Sequence, residues 1–152
     1  MNKNKIAIIG LGYVGLPLLI EFGKKYNVVG YDIDKKKIEN LKRGIDETLI
    51  LSDKESNNLK KLKLSCNAKD IKQCNIYIVT VPTPLNKKNK PDLSFIKNAS
   101  KAVGRSLNRK DIVIYESTVY PGVTEEVCVP ILEKNSKLKY ENSHGVTNNE
   151  NL

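Results

Sequence analysis

A doubly wound α/β fold, with a mostly parallel sheet and helices on both faces, is what this sequence predicts, and three observations predict it. The apolar run Ile6-Ala7-Ile8-Ile9 breaks into Gly10-Leu11-Gly12-Tyr13-Val14-Gly15 and resumes at helical spacing, the pattern of strand, tight turn and helix. Short apolar runs recur at 28–31, 76–81 and 112–115, with a further strand suggested at 62–66, separated by stretches with helix caps or helical periodicity. A carboxylate, Asp32, closes the second run about 20 residues after the glycines. Alternation of this kind builds right-handed crossovers. The predicted Rossmann-like strand order is 3-2-1-4-5, with a damaged sixth strand beyond it.

In such a turn Gly10 permits the tight bend, Gly12 lets the backbone approach a pyrophosphate, and Gly15 allows the helix to pack closely on the strand. Leu11, Tyr13 and Val14 complete the candidate cofactor loop. The helix behind it offers free N–H groups and the positive end of its dipole. Taken alone, the glycine pattern is equally compatible with a structural turn. Asp32 shifts the balance, because a carboxylate there accepts from the adenosine 2′-OH and repels a 2′-phosphate, which favours NAD over NADP. The neighbouring Lys35-Lys36-Lys37 pulls the other way, and Asp34 reads as the cap of the helix they open.

In chain order, the first helix is predicted over 14–25, with Val14, Leu18 and Phe22 on one face and Pro17 tolerated in its first turn. Ile38 and Leu41 mark a short helix ending near Gly44. Ser52 and Glu55 form a capping box for another, running to about Lys61. A third strand at 62–66 leads to a turn capped by Asn67, then to the buried strand 76–81. Pro82-Thr83-Pro84 follows at the strand's carboxyl end, where ligands bind in open α/β sheets. An unliganded proline turn is the alternative. Asp92 is expected to cap a helix whose apolar face is Ile96, Ala99, Val103 and Leu107. The strand 112–115 ends in the loop 116–122, the second place to expect ligand contact. The last helix runs from Thr124 through Leu132, with Pro130 able to kink it and Cys128 a small core residue.

The formal charge of +9 invites a nucleic-acid reading, but of 26 basic residues only Arg43, Arg105 and Arg109 are arginines. No basic run is interleaved with aromatics, so nucleic acid is not an expected partner. No apolar stretch approaches the ~20 residues of a membrane span, and no signal-peptide pattern opens the chain. Cys66, Cys74 and Cys128 are odd in number and form no metal pattern. Reduced thiols and a cytoplasmic location are expected, with no metal.

Three blocks carry a resemblance: Gly-Leu-Gly-Tyr-Val-Gly-Leu-Pro-Leu at 10–18, Val-Thr-Val-Pro-Thr-Pro at 79–84, and Tyr-Glu-Ser-Thr-Val-Tyr-Pro-Gly at 115–122. Together they resemble the nucleotide-sugar 6-dehydrogenases of UDP-glucose and GDP-mannose dehydrogenase type, most of all the branch oxidising UDP-N-acetylhexosamines for bacterial surface polysaccharides. The resemblance implies oxidation of a sugar C6 hydroxyl to a carboxylate by two NAD in turn, through a cysteine thioester. By position it implies that residues 10–15 hold the pyrophosphate and Asp32 the adenosine ribose, with Lys37 as a neighbouring polar contact. Thr83 would lie against the nicotinamide ribose, and Thr118 would position the catalytic water and nicotinamide. An ordinary loop hydroxyl is the plainer reading of Thr118.

The match runs from about Lys5 to Lys139. The family's Gly-Tyr-Ser-Pro-Glu-Arg segment, central helix, Gly-Gly-His-Cys block and second domain find no counterpart, so the expected organisation is an NAD-binding domain at 1–140 and a frayed polar tail at 141–152. His144 reads as a solvated tail residue. None of the three cysteines stands in the family's catalytic motif. The chain alone is therefore expected to bind NAD as a monomer without turnover, and to meet a nucleotide sugar only with the missing domain supplied. Two alternatives stay open: another Rossmann NAD-dependent oxidoreductase, and a non-catalytic module binding NAD or a partner.

Overall fold

The computed structural model describes residues 4–140 and 146–148 of the chain. The elements in order are β1 (Lys5–Ile9), α1 (Gly15–Gly23), β2 (Asn27–Tyr31), α2 (Lys35–Lys42), α3 (Asp53–Leu59), β3 (Lys63–Ser65), β4 (Ile76–Val79), α4 (Ser94–Gly104), β5 (Ile112–Tyr115), α5 (Val129–Ser136) and β6 (Val146–Asn148). All strand pairs are parallel, in the order β3-β2-β1-β4-β5-β6. The first five strands stand as the sequence predicts. Within 141–152, expected as a polar tail, the described part is β6, beside β5. His144 lies outside the described residues.

Side chains alternate across the sheet, so β1 feeds two cores. Ile6 and Ile8 join Leu16, Leu19, Ile38 and Leu59 on the face covered by α1, α2 and α3. Ala7 and Ile9 join Tyr77, Ile96, Val103 and Leu132 on the face covered by α4 and α5. With both faces buried, the central strands are apolar throughout, which is why they read as unbroken runs.

Local chemistry sets the element ends. Asp34 Oδ1 accepts from the Lys37 N–H at 3.0 Å, capping α2, and Gly44 closes that segment with φ +80°. Ser52 and Glu55 form the reciprocal capping box of α3, and Asn67 caps the 3₁₀ turn Ala68–Ile71. Asp92 departs from its expected role by one position. Leu93 is the N-cap of α4, and the Asp92 carboxylate accepts from the Ser94 N–H just inside the helix. The last helix also differs from expectation. Thr124–Cys128 forms a π-helical turn before α5, and the Val129 N–H donates to the Thr124 carbonyl five residues back. Pro130, which has no N–H to donate to the carbonyl four residues back, follows at once, so the wider turn falls where the regular helical ladder is interrupted.

Candidate functional site

The carboxyl ends of β1, β2, β4 and β5 open onto a cleft of about 710 Å³. Its floor is the glycine turn. Gly10 adopts φ +96°, open to few residues but glycine, and its N–H donates to the Tyr31 carbonyl at 2.8 Å, tying the turn to β2. A Cβ on Gly15 would stand 1.9 Å from the Gly10 carbonyl oxygen and 2.6 Å from Thr80 Oγ1. Gly15 is thus required by the packing of α1 on the turn. Gly12 is different: a Cβ there would meet nothing within 4 Å. No neighbour in the fold demands glycine at this position, whereas a ligand backbone approaching the turn would. No side chain caps α1, whose N-cap residue Val14 sits at the same opening.

Of the loop residues named from sequence, Gly10, Leu11, Gly12, Tyr13 and Val14 line the cleft, and Gly15 packs behind it. Tyr13 and Val14 are exposed at the rim. The Leu11 side chain is fully buried in the core, and its N–H donates to Asp32 Oδ2 at 2.9 Å. Leu11 therefore serves the site through its backbone and anchors Asp32.

Asp32 is 7% exposed, and its carboxylate is held by donors around the cleft. Oδ2 takes the Leu11 N–H and, at 2.9 Å, Lys37 Nζ. Oδ1 takes the Asp34 N–H at 3.0 Å. An ionised carboxylate offers about four acceptor sites, so Oδ1 keeps capacity for a further donor such as a ribose hydroxyl. Burial pushes the neighbouring Tyr31 phenol above its ordinary range, and the Asp32 charge adds to the rise.

The other wall joins the loops after β4 and β5. Thr83 Oγ1 donates to the Thr118 carbonyl, and Ser117 Oγ donates to the Val81 carbonyl at 2.7 Å. The two threonines predicted at the site are thus neighbours in one braced wall. Phe95, Asn98 and Ala99 of α4 close the cleft on the side of this wall. Cys66 is exposed, whereas burial pushes the Cys74 thiol up to about 11 and raises that of Cys128. None of the three lines the cleft.

One contributor escaped sequence reasoning. Thr80 is buried at the end of β4, and its hydroxyl lies 2.7 Å from the Gly10 carbonyl oxygen. The signal, a threonine late in an apolar run and just before Val81-Pro82, was visible but unspecific.

The chain matches the family model described as "UDP-glucose/GDP-mannose dehydrogenase family, NAD binding domain" over residues 4–151. It is 51% identical over 140 residues to a UDP-N-acetyl-D-glucosamine 6-dehydrogenase of Pseudomonas aeruginosa, covering 92% of this chain and 33% of that protein. Identity to the enzyme of the same name from Salmonella typhi is 55% over 140 residues, with the same coverage. Among solved structures, a UDP-D-ManNAc dehydrogenase from Pyrococcus horikoshii superposes with a TM-score of 0.80 at 36% identity, over 90% of this chain and 33% of that one. A ternary complex of GDP-mannose dehydrogenase from Pseudomonas aeruginosa gives a TM-score of 0.81 at 26% identity, over 93% of this chain and 34% of that one. The chain spans about a third of the length of the curated relatives it matches. Among the described residues, no helix is long and apolar enough to cross a membrane.

Proposed function

The chain belongs to the UDP-glucose/GDP-mannose dehydrogenase family as its NAD-binding domain, and on that premise we propose that it holds NAD for the C6 oxidation of a UDP-N-acetylhexosamine to its uronic acid. The relatives that are half or more identical are named for that substrate class. Bound NAD supplies the hydride acceptor. The chain's own residues bind and orient it. The Gly10–Val14 turn and the uncapped start of α1 face the pyrophosphate, Asp32 accepts from the adenosine ribose with Lys37 beside it, and Thr83 and Thr118 border the nicotinamide end.

The observation that carries this reading is the pairing of a buried, donor-held Asp32 with a Gly12 whose missing side chain leaves open space. The three cysteines support a division of labour, since neither of the two buried thiols nor exposed Cys66 borders the cleft where a thioester would have to form. In this reading residues 1–140 carry the cofactor cleft, and 141–152 is a polar extension whose described part, Val146–Asn148, adds the edge strand of the same sheet. The chain binds NAD in the cytoplasm, and the nucleotide sugar is met together with a sugar-binding domain.

A chimera tests the proposal. The chain joined to the remaining two-thirds of the Pseudomonas aeruginosa UDP-N-acetyl-D-glucosamine 6-dehydrogenase is expected to form NADH from NAD and UDP-N-acetylglucosamine, while the chain alone forms none. A chimera that folds and binds the nucleotide sugar but forms no NADH contradicts it.

A further inference from the structure

The peptide unit between Gly10 and Leu11 is held at both ends. Its carbonyl oxygen receives the Thr80 hydroxyl at 2.7 Å, and its N–H reaches Asp32 Oδ2 at 2.9 Å. Thr80 has a second acceptor in range, the Ile9 carbonyl at 3.2 Å, but that oxygen already receives the Thr80 backbone N–H at 2.8 Å. At 2.7 Å against 3.2 Å, the Gly10 oxygen is the better acceptor for the single hydroxyl proton. A trans peptide is planar with its C=O and N–H pointing opposite ways, so bonds at both ends fix its rotation. On its Gly10 side, at φ +96°, the residue imposes little restraint of its own on that plane, while on the other side the buried Leu11 side chain holds the chain but not the plane's two polar ends.

We infer that Thr80 is a positioning residue for the cofactor, aligning Asp32 with the glycine turn by clamping the peptide plane that joins them. The Thr80 hydroxyl oxygen stands 2.6 Å from where a Gly15 Cβ would be, so Thr80 also abuts the first residue of α1. The part of the cleft that meets a ribose hydroxyl and the part that meets a pyrophosphate are thus set by one side chain just past the end of β4, 70 residues away in sequence. Without the hydroxyl the plane loosens, the Leu11 N–H is less firmly held against Asp32, and the carboxylate loses the one of its three donors that comes from the glycine turn. This inference rests on the binding of NAD in the cleft described above.

Thr80→Ser and Thr80→Ala both remove the γ-methyl group and differ only in the hydroxyl. In calorimetric titrations of the full 152-residue chain, Thr80→Ser is expected to bind NAD within about twofold of the unmodified protein. Thr80→Ala should bind about five- to tenfold more weakly, the loss of one buried hydrogen bond. Hydrogen exchange read by NMR without ligand should show the Leu11 amide exchanging faster in Thr80→Ala than in Thr80→Ser, a change that general loosening would spread over β1 and β4 alike. Should the alanine variant not fold, Thr80→Val keeps the volume, removes the hydroxyl and carries the same expectation against the unmodified chain. An unmodified chain that binds no NAD overturns the reading of the cleft and this inference with it. Hydroxyl-free variants that fold and bind NAD as tightly as Thr80→Ser, or with an unchanged Leu11 amide, overturn this inference alone.

Discussion

Alanine at Gly12 and alanine at Gly15 separate a glycine kept for a ligand from one kept for the fold. At Gly15 the new Cβ would sit 1.9 Å from the Gly10 carbonyl oxygen, deep inside van der Waals contact, with Thr80 Oγ1 at 2.6 Å and Gly10 C at 3.0 Å. Two of these atoms are backbone of the turn, so either α1 or the turn must move. Overpacking of that kind costs about 1–3 kcal/mol, and loss of the Thr80–Gly10 hydrogen bond adds ~1 kcal/mol. Replacing glycine by alanine in the helix returns ~1 kcal/mol. The net destabilisation is roughly 1–3 kcal/mol, which lowers Tm by about 3–10 °C for a domain of this size. Gly12 has no atom within 4 Å of its would-be Cβ and is not among the residues with positive φ. Alanine there restricts the unfolded chain and stabilises by about 0.4–1 kcal/mol, so Tm stays level or rises slightly. Its methyl group nonetheless occupies the approach to the turn, and NAD affinity should fall at least ~10-fold, or 1.4 kcal/mol. Melting followed by circular dichroism and NAD titration on both variants decide the matter. A Gly12→Ala chain that binds NAD normally, or a Gly15→Ala chain that melts normally, refutes the reasoning.

Two further outcomes follow from burial and charge. At neutral pH an alkylating reagent should modify Cys66 alone in the folded chain, because Cys74 and Cys128 are buried with thiols raised by desolvation; mass spectrometry showing Cys128 labelled without unfolding would contradict the core assignment. The loop between α2 and α3 is organised by Asp46, whose carboxylate accepts from the N–H groups of Thr48, Ile50 and Leu51 and from the Thr48 hydroxyl. Partial burial raises its carboxyl, but these bonds outweigh that and hold it below the ordinary range. A depressed folded-state pKa contributes stability that is present above the unfolded value, near 4, and is lost as pH falls through the folded one. Asp46→Asn should therefore lose less Tm than the unmodified chain between about pH 6 and about pH 3, and an equal loss in both would assign the acid sensitivity elsewhere.

What the sequence made legible was whatever depends on neighbours in the chain. Asp34, the Ser52–Glu55 pair and Asn67 cap where they were expected to, because a cap is a bond between residues two or three apart. Asp92 missed by one position for the same reason, since an aspartate can serve the first helical N–H from several nearby placements. The glycine turn and the place of Asp32 at the end of β2 were readable because a tight strand-to-helix turn demands glycine and a carboxylate closing an apolar run stands out in the sequence. The π-helical turn was not, because Pro130 announces a missing donor without saying how the turn before it will adapt. Thr80 and the spent N–H of Leu11 were hidden for a deeper reason. The bonds span 70 and 21 residues, and only the folded sheet brings the ends of β1, β2 and β4 together.

The most direct test of the central claim is calorimetric titration of the 152-residue chain with NAD and with NADP, repeated on Asp32→Ala. NAD binding, weaker binding of NADP because its 2′-phosphate meets a carboxylate, and a loss of at least ~10-fold in the variant are the predicted results. A cooperatively folded chain that binds neither dinucleotide, or binds NAD equally well without Asp32, would contradict the account.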